Sequence, residues 1–111
     1  MTRTVHKYRL TIADRWQELR LPVGAQIVHV AEQPPGSGEF LQADDGGSMR
    51  ASLFLWAEVA PSADLEIRRL VTVGTGQEIP RTPAGHRPYH VASVVTASGA
   101  LVWHVYAEPN L

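Results

Sequence analysis

The chain has 111 residues, with 10 basic against 11 acidic side chains, a formal net charge of -1 and no cysteine. That length is expected to give one domain with a single core; the near-neutral balance excludes general nucleic-acid binding, and the missing cysteines exclude disulfides, thiolate metal sites and cysteine nucleophiles. The opening MTRTVHKYRL has no long apolar run and no stretch approaches the roughly 20 apolar residues of a membrane span, so a cytoplasmic protein with no membrane partner is the expectation.

Residues 4–12, TVHKYRLTI, alternate: His6, Tyr8, Leu10 and Ile12 share one face, with Lys7, Arg9 and Thr11 on the other. That rhythm predicts a half-buried first strand. In RWQELRLP, Leu19 and Leu21 alternate with Glu18 and Arg20 until Pro22, which can donate no ladder hydrogen bond. Gly24 turns the chain into AQIVHVAEQ, where Ile27, Val28 and Val30 predict a third strand, apolar on both faces. Residues 33–49 are rich in Pro, Gly, Ser and Asp and read as a long loop, within which Phe40 and Leu41 could tether the chain.

Order returns in MRASLFLWAEVA, which reads as a central strand with Leu53, Leu55, Ala57 and Val59 on one face and Phe54 and Trp56 on the other. DLEIRRLVTV follows with Leu65, Ile67, Val71 and Val73 set against Glu66, Arg68 and Thr72. A helix over 62–70 competes there, and the β-branched run that follows decides for a strand. Residues 74–88 form a second long loop. The last stretch, YHVASVVTASGALVWHVYAE, predicts a hairpin turning at Ala97, Ser98 and Gly99. Tyr89, Val91, Ser93 and Val95 fall on one face of its first arm, and Leu101, Trp103 and Val105 on one face of its second. The opposite faces, His90, Ala92 and Val94 with Val102, His104 and Tyr106, are not polar either. This hairpin is therefore expected at the centre of the sheet, covered on both sides. The whole reads as a single antiparallel all-β domain over 1–111, a sandwich or barrel of about seven strands.

Candidate chemistry is sparse. Gly74, Thr75, Gly76 and Gln77 end a strand, where glycine lets backbone N–H groups approach an anion; isolated strand glycines more often mark a bulge or tight turn that re-aims the chain, and no lysine follows to make a Walker loop. His90 and His104 fall on the even-numbered faces of paired strands and could be neighbours. With His6 they are the one candidate metal or acid/base cluster among the five histidines, although no H-x-H or HExxH pattern supports it. Asp44 and Asp45 adjoin Gly46 and Gly47, an ordinary turn setting. Ser52, Ser93 and Ser98 lack a nucleophile elbow. Trp16, Trp56 and Trp103, with Phe54 and Tyr106, either build a second sheet contact, which absorbs most of them in so small a chain, or form a partner surface; the remainder, especially Trp16 and with it Trp56, would suit a homodimer interface or a ligand wall.

The pieces HKYRL, LPVGAQIVHVAEQ, LFLWAEV, VGTGQEIP and HVASVV followed by ALVWHVYAE, in that order, resemble a family of small bacteriophage and prophage proteins with no established activity. The resemblance implies a compact β domain and departs by insertion at 33–49 and 81–87. Genes of that class often encode proteins that disable a host defence component or sequester its nucleotide signal, and some encode minor virion parts.

No catalytic constellation assembles, so the expected function is a non-enzymatic binding module with no cofactor. It would use Gly74, Thr75, Gly76, Gln77, Trp16 and Trp56 to engage a small anionic ligand or a host protein, and it is expected to self-associate. The alternative is an accessory virion or assembly protein making symmetric subunit contacts; a third reading is a metal-dependent hydrolase built on His6, His90 and His104.

Overall fold

A computed structural model of the chain describes residues 2–13, 15–33, 52–96, 99 and 101–109. The predicted loop 33–49, apart from Gln33, and the turn residues Ala97 and Ser98 lie outside these, as do Phe40, Leu41, Asp44 and Asp45. The described residues form seven strands and no helix: β1 (Thr4–Leu10), β2 (Gln17–Pro22), β3 (Gln26–Gln33), β4 (Ser52–Val59), β5 (Leu65–Gly74), β6 (Tyr89–Val95) and β7 (Val102–Ala107). They pair antiparallel in a three-stranded sheet, order β1-β4-β3, and a four-stranded sheet, order β2-β5-β7-β6. The result is a β-sandwich.

The core lies between the inner faces and is aliphatic: Leu53, Leu55, Ala57 and Val59 of β4, Leu10 of β1, Val30 of β3, Leu21 of β2, Leu70 of β5, Val94 of β6 and Val105 of β7. The two-residue period puts every second side chain of β4 inward, as its sequence predicts. Burying an aliphatic side chain of this size contributes about 1.5–3 kcal/mol, so this layer holds the sheets together.

The crossover from β1 to β2 carries the chain from one sheet to the other and is pinned by polar side chains. The Thr11 N–H donates to Gln17 Oε1 at 3.0 Å, and Gln17 Nε2 donates to the Thr11 carbonyl at 2.6 Å. Thr72, buried on β5, receives the Ala13 N–H at 3.2 Å, and its hydroxyl lies 3.3 Å from the Ala13 carbonyl. These bonds supply partners for backbone that leaves one ladder before joining the next.

Three expectations need correction. On β5 the inward residue is Leu70, so Leu65, Ile67, Val71 and Val73 occupy the outer face; Leu65 is 60% exposed and Ile67 43%. Arg68 points inward instead, its guanidinium donating to the Ala25 carbonyl at 3.3 Å. Next, of the two hairpin strands β6 lies at the edge of its sheet, and β7 alone is interior, beside β5. Finally, the register of β6 against β7 shifts between His90 and Ala92. The extra residue, Val91, reverses the alternation, which places Val94 in the core and turns Ser93 and Val95 outward. A matching irregularity between Ile27 and His29 turns Val28 out of β3, leaving it 54% exposed. These two bulged edges, β3 and β6, approach each other at one margin of the sandwich.

Candidate functional site

The pairing registers build the outer face of the four-stranded sheet in rows. Glu18, Arg69 and Glu108 form the first, Val71, Tyr106 and His90 the next, and Val73, His104 and Ser93 the one after. Val71 and Val73 are buried although they point away from the core. The 75–88 connection is placed to cover them, being bonded on either side of β5: Thr75 Oγ1 lies 2.8 Å from His104 Nε2 on β7, and the indole of Trp16, just before β2, donates to the Arg81 carbonyl at 2.7 Å. Buried Thr82, whose hydroxyl donates to the His86 carbonyl at 2.8 Å, holds the same connection together.

At the β6 side of this cover a continuous line of hydrogen bonds runs along the surface. Thr75 Oγ1 meets His104 Nε2 at 2.8 Å, His104 Nδ1 meets Ser93 Oγ at 2.8 Å, and Ser93 Oγ meets His90 Nε2 at 2.9 Å. Each imidazole has one donor and one acceptor when neutral, and each hydroxyl can be both. The line is therefore self-consistent in either direction, from Thr75 to His90 or the reverse. The His90 ring also stands edge-on to Tyr106, centroids 5.4 Å apart at 71°. Ser93 borders a groove of about 290 Å³ between the bulged edges, lined by Ile27, Val28, His29 and Val30 of β3 and by Val91, Ala92 and Ser93 of β6.

The glycine-rich segment serves this line through its shape. The Gly74 N–H donates to Gln77 Oε1 at 2.6 Å and the Gln77 N–H returns to the Gly74 carbonyl at 3.0 Å, so both donors are spent inside the turn. A Cβ at position 74 would sit 3.3 Å from Gln77 Oε1 and 3.5 Å from the Trp103 ring, so a side chain there would press on the Gln77 amide that closes the turn. Gly76 has φ +89, a left-handed conformation suited to glycine. What the turn delivers is the Thr75 hydroxyl, aimed at His104.

Of the residues singled out from sequence, Thr75, His90 and His104 come together here, and Trp16 anchors the cover of the same face. Trp56 does not join them. It stands on the outer face of the three-stranded sheet between Lys7 and His29, its ring 5.3 Å from His29 and 6.4 Å from Phe54. His6 is also elsewhere, on β1 with its ring 6.4 Å from Tyr8. The His6, His90, His104 cluster is therefore corrected to a pair, and among the described residues no group of three or more His, Cys, Asp or Glu is placed to hold a metal. Ser93, at the middle of the line, is the residue that sequence reasoning missed, because strict alternation assigned it to the face of Tyr89 and Val91.

Beside the line, Arg69 bridges two carboxylates: Nη1 donates to Glu108 Oε1 at 3.2 Å, and Nη2 lies 3.1 Å from Glu18 Oε2. The hydrogen bond to Glu108, opposed in part by desolvation and reinforced by the Glu18 charge, raises the guanidinium pKa above its ordinary value. The second Glu108 oxygen is buried and accepts no hydrogen bond. Arg69 is thus committed to its own carboxylates.

Fold and contacts together define a small all-β sandwich domain with an exposed hydroxyl–imidazole cluster on one sheet. Over residues 1–111 the chain matches the family model described as a domain of unknown function, DUF7352, and it belongs to that family. Neither curated proteins nor solved structures gave a match. Among the described residues no helix is long and apolar enough to cross a membrane.

Proposed function

We propose that this domain is a non-enzymatic binding module whose recognition surface is the outer face of the four-stranded sheet around Ser93, and that its ligand is a small anion. One observation carries the reading: Thr75, His104, Ser93 and His90, drawn from the 75–88 connection, β7 and β6, share a single exposed line of hydrogen bonds. Running from Thr75 to His90 the neutral line leaves the His90 Nδ1–H uncommitted at its end, and running in reverse it leaves the Thr75 hydroxyl, so the line presents a donor to a phosphate or carboxylate oxygen at one end, while Ser93 borders the adjoining groove. In the bacteriophage setting that the sequence resemblance implies, such a module would work in the host cytoplasm by sequestering an anionic signal or holding a host protein.

Amide and imidazole NMR spectra recorded during titration with inorganic phosphate and with linear and cyclic nucleotides test this. Saturable shifts centred on Thr75, His90, Ser93 and His104 are expected; spectra that stay unchanged across the panel would remove the anion from the reading.

The assembly alternative has its own observation. Val23, whose N–H donates to the Asp64 carbonyl at 2.7 Å, lies beside Leu65 at one end of the four-stranded sheet, and with Ile67 these side chains are exposed. An apolar end of this kind suits contact with a second copy of the chain. Light scattering at micromolar concentration decides it, since a strict monomer rejects symmetric subunit contacts.

A further inference from the structure

We infer that His90 and His104 form a two-imidazole site for a first-row divalent cation of the zinc, nickel or copper type. His90 Nε2 and His104 Nδ1 approach the same point in space from two strands, each bonded to Ser93 Oγ, at 2.9 Å and 2.8 Å. A metal bound to imidazole sits about 2.0–2.1 Å from each nitrogen. A cation taking the place of the Ser93 hydroxyl therefore requires each ring to close by less than ~1 Å and Ser93 to turn to another staggered rotamer. Neither movement disturbs the core, because all three side chains stand on the outer face.

The His104 ring is also held from behind by a hydrogen bond, as metal-binding histidines usually are. Thr75 Oγ1 occupies Nε2 of His104. When that nitrogen carries the proton and donates to Thr75, Nδ1 keeps the lone pair that a metal needs. The His90 ring packs near-perpendicular to the Tyr106 ring. The turn at Gly74–Gln77 thus acquires a specific task, which is to place the Thr75 hydroxyl on Nε2 of His104 and leave Nδ1 as the nitrogen that faces Ser93.

The donor set selects the ion. Imidazole nitrogen suits zinc, nickel and copper, whereas magnesium and calcium demand oxygen ligands. No third His, Cys, Asp or Glu joins the pair among the described residues, so the remaining coordination positions face solvent, open to water or an anion. The inference shares its side chains with the anion reading but does not require an anion to bind. Titration with metal alone, and titration with phosphate in the presence of a chelator, let either fail without the other.

The test is calorimetric titration of the untagged chain with zinc chloride in a buffer free of phosphate, combined with imidazole NMR. One zinc per chain is expected, with ring signals of His90 and His104 shifting together while those of His6, His29 and His86 stay in place. His90→Ala, at an exposed position on the edge strand, and His104→Asn should each weaken zinc binding at least about tenfold, a difference of roughly 1.4 kcal/mol. Ser93→Ala keeps both imidazoles and should hold zinc within about threefold of the parent chain, a difference below that tenfold step. Magnesium should give no heat of binding. Absence of stoichiometric zinc binding, unchanged affinity in a folded His90→Ala chain, or collapse of binding in Ser93→Ala would each overturn the assignment.

Discussion

On the outer face of the three-stranded sheet, His29 lies against the Trp56 ring at 5.3 Å, and Lys7 Nζ sits 4.2 Å from the Phe54 centroid while also hydrogen-bonding to Gln33 Oε1. On the outer face of the four-stranded sheet, His104 is hydrogen-bonded through both ring nitrogens to hydroxyls and lies one residue beyond a tryptophan that faces the core. The same residue type serves as a flat ring on one face and as a pair of nitrogens on the other. What differs is the cross-strand neighbour. The register shift at Val28 sets His29 opposite Trp56, and the one at Val91 sets His104 opposite Ser93. A ring beside a ring is stabilised by dispersion and quadrupole contact, and its nitrogens are incidental. A ring between hydroxyls has both nitrogens engaged, and because a hydroxyl both donates and accepts, either tautomer fits and the choice is presented at the surface.

Both faces rest on the shared inner layer, so the largest effects come from there. Leu70→Ala should destabilise the domain by about 2–5 kcal/mol, because Leu70 is fully buried and its neighbours can only partly fill the space. Leu65→Ala, on the same strand but facing out, should change stability by less than about 0.5 kcal/mol. Urea denaturation of the two variants checks the inward register of β5; equal losses would mean that the faces of this strand are reversed.

The strand content was readable because side-chain period 2 is a strong signal. β4 shows it best: its core residues are those that alternation names. β5 shows the limit, since Leu65, Ile67, Val71 and Val73 alternate as well as any core face. Alternation fixes which residues share a face and leaves open which face is inward when both are apolar. In β6 the fault is different. A single inserted residue, Val91, reverses the face of all that follows, and neither Gly nor Pro marks it. That is why Ser93, assigned to the wrong face, could not be connected with His90 or His104. The glycine-rich stretch was legible as a special turn, but its purpose was not, because the Gln77 side chain takes the Gly74 N–H and the Gly74 carbonyl takes the Gln77 N–H, two donors that an anion would otherwise have met.

Next in size is Gly76→Val. Nothing lies within 4 Å of a Cβ built at Gly76, so the cost comes from forcing φ +89 on an L side chain, roughly 1–2 kcal/mol, and not from a clash. The four-stranded face alone should feel it: the His104 ring signal should move as Thr75 loosens, with His29 unchanged. Smaller again is the paired test of the two histidine environments. Ser93→Ala should cost about 0.5–1.5 kcal/mol for its exposed hydrogen bonds. His29→Ala should cost a similar amount, about 0.5–1.5 kcal/mol, for a ring contact. Tryptophan emission should change in His29→Ala and stay constant in Ser93→Ala; the opposite pattern would merge the two environments that the structure separates.

The smallest effect at neutral pH separates the sheets by titration. Tyr8 lies on the inner face of β1, opposite Leu55, and burial raises its phenol above the ordinary value of 10.0. Because the raised value belongs to the folded state, the folded chain holds this proton over a range of pH in which the unfolded chain has released it. The associated stability is present in full below the ordinary value and is lost as pH climbs through the raised one. Tyr8→Phe should therefore be close to neutral at pH 7 and should flatten the decline in stability above about pH 10, where ordinary tyrosine ionises. Recording the His29 and His104 ring signals during the same alkaline titration shows which sheet gives way. The parent chain should lose the His29–Trp56 environment first, since Tyr8 belongs to that sheet, and simultaneous loss in both would mean that the sandwich opens as one unit.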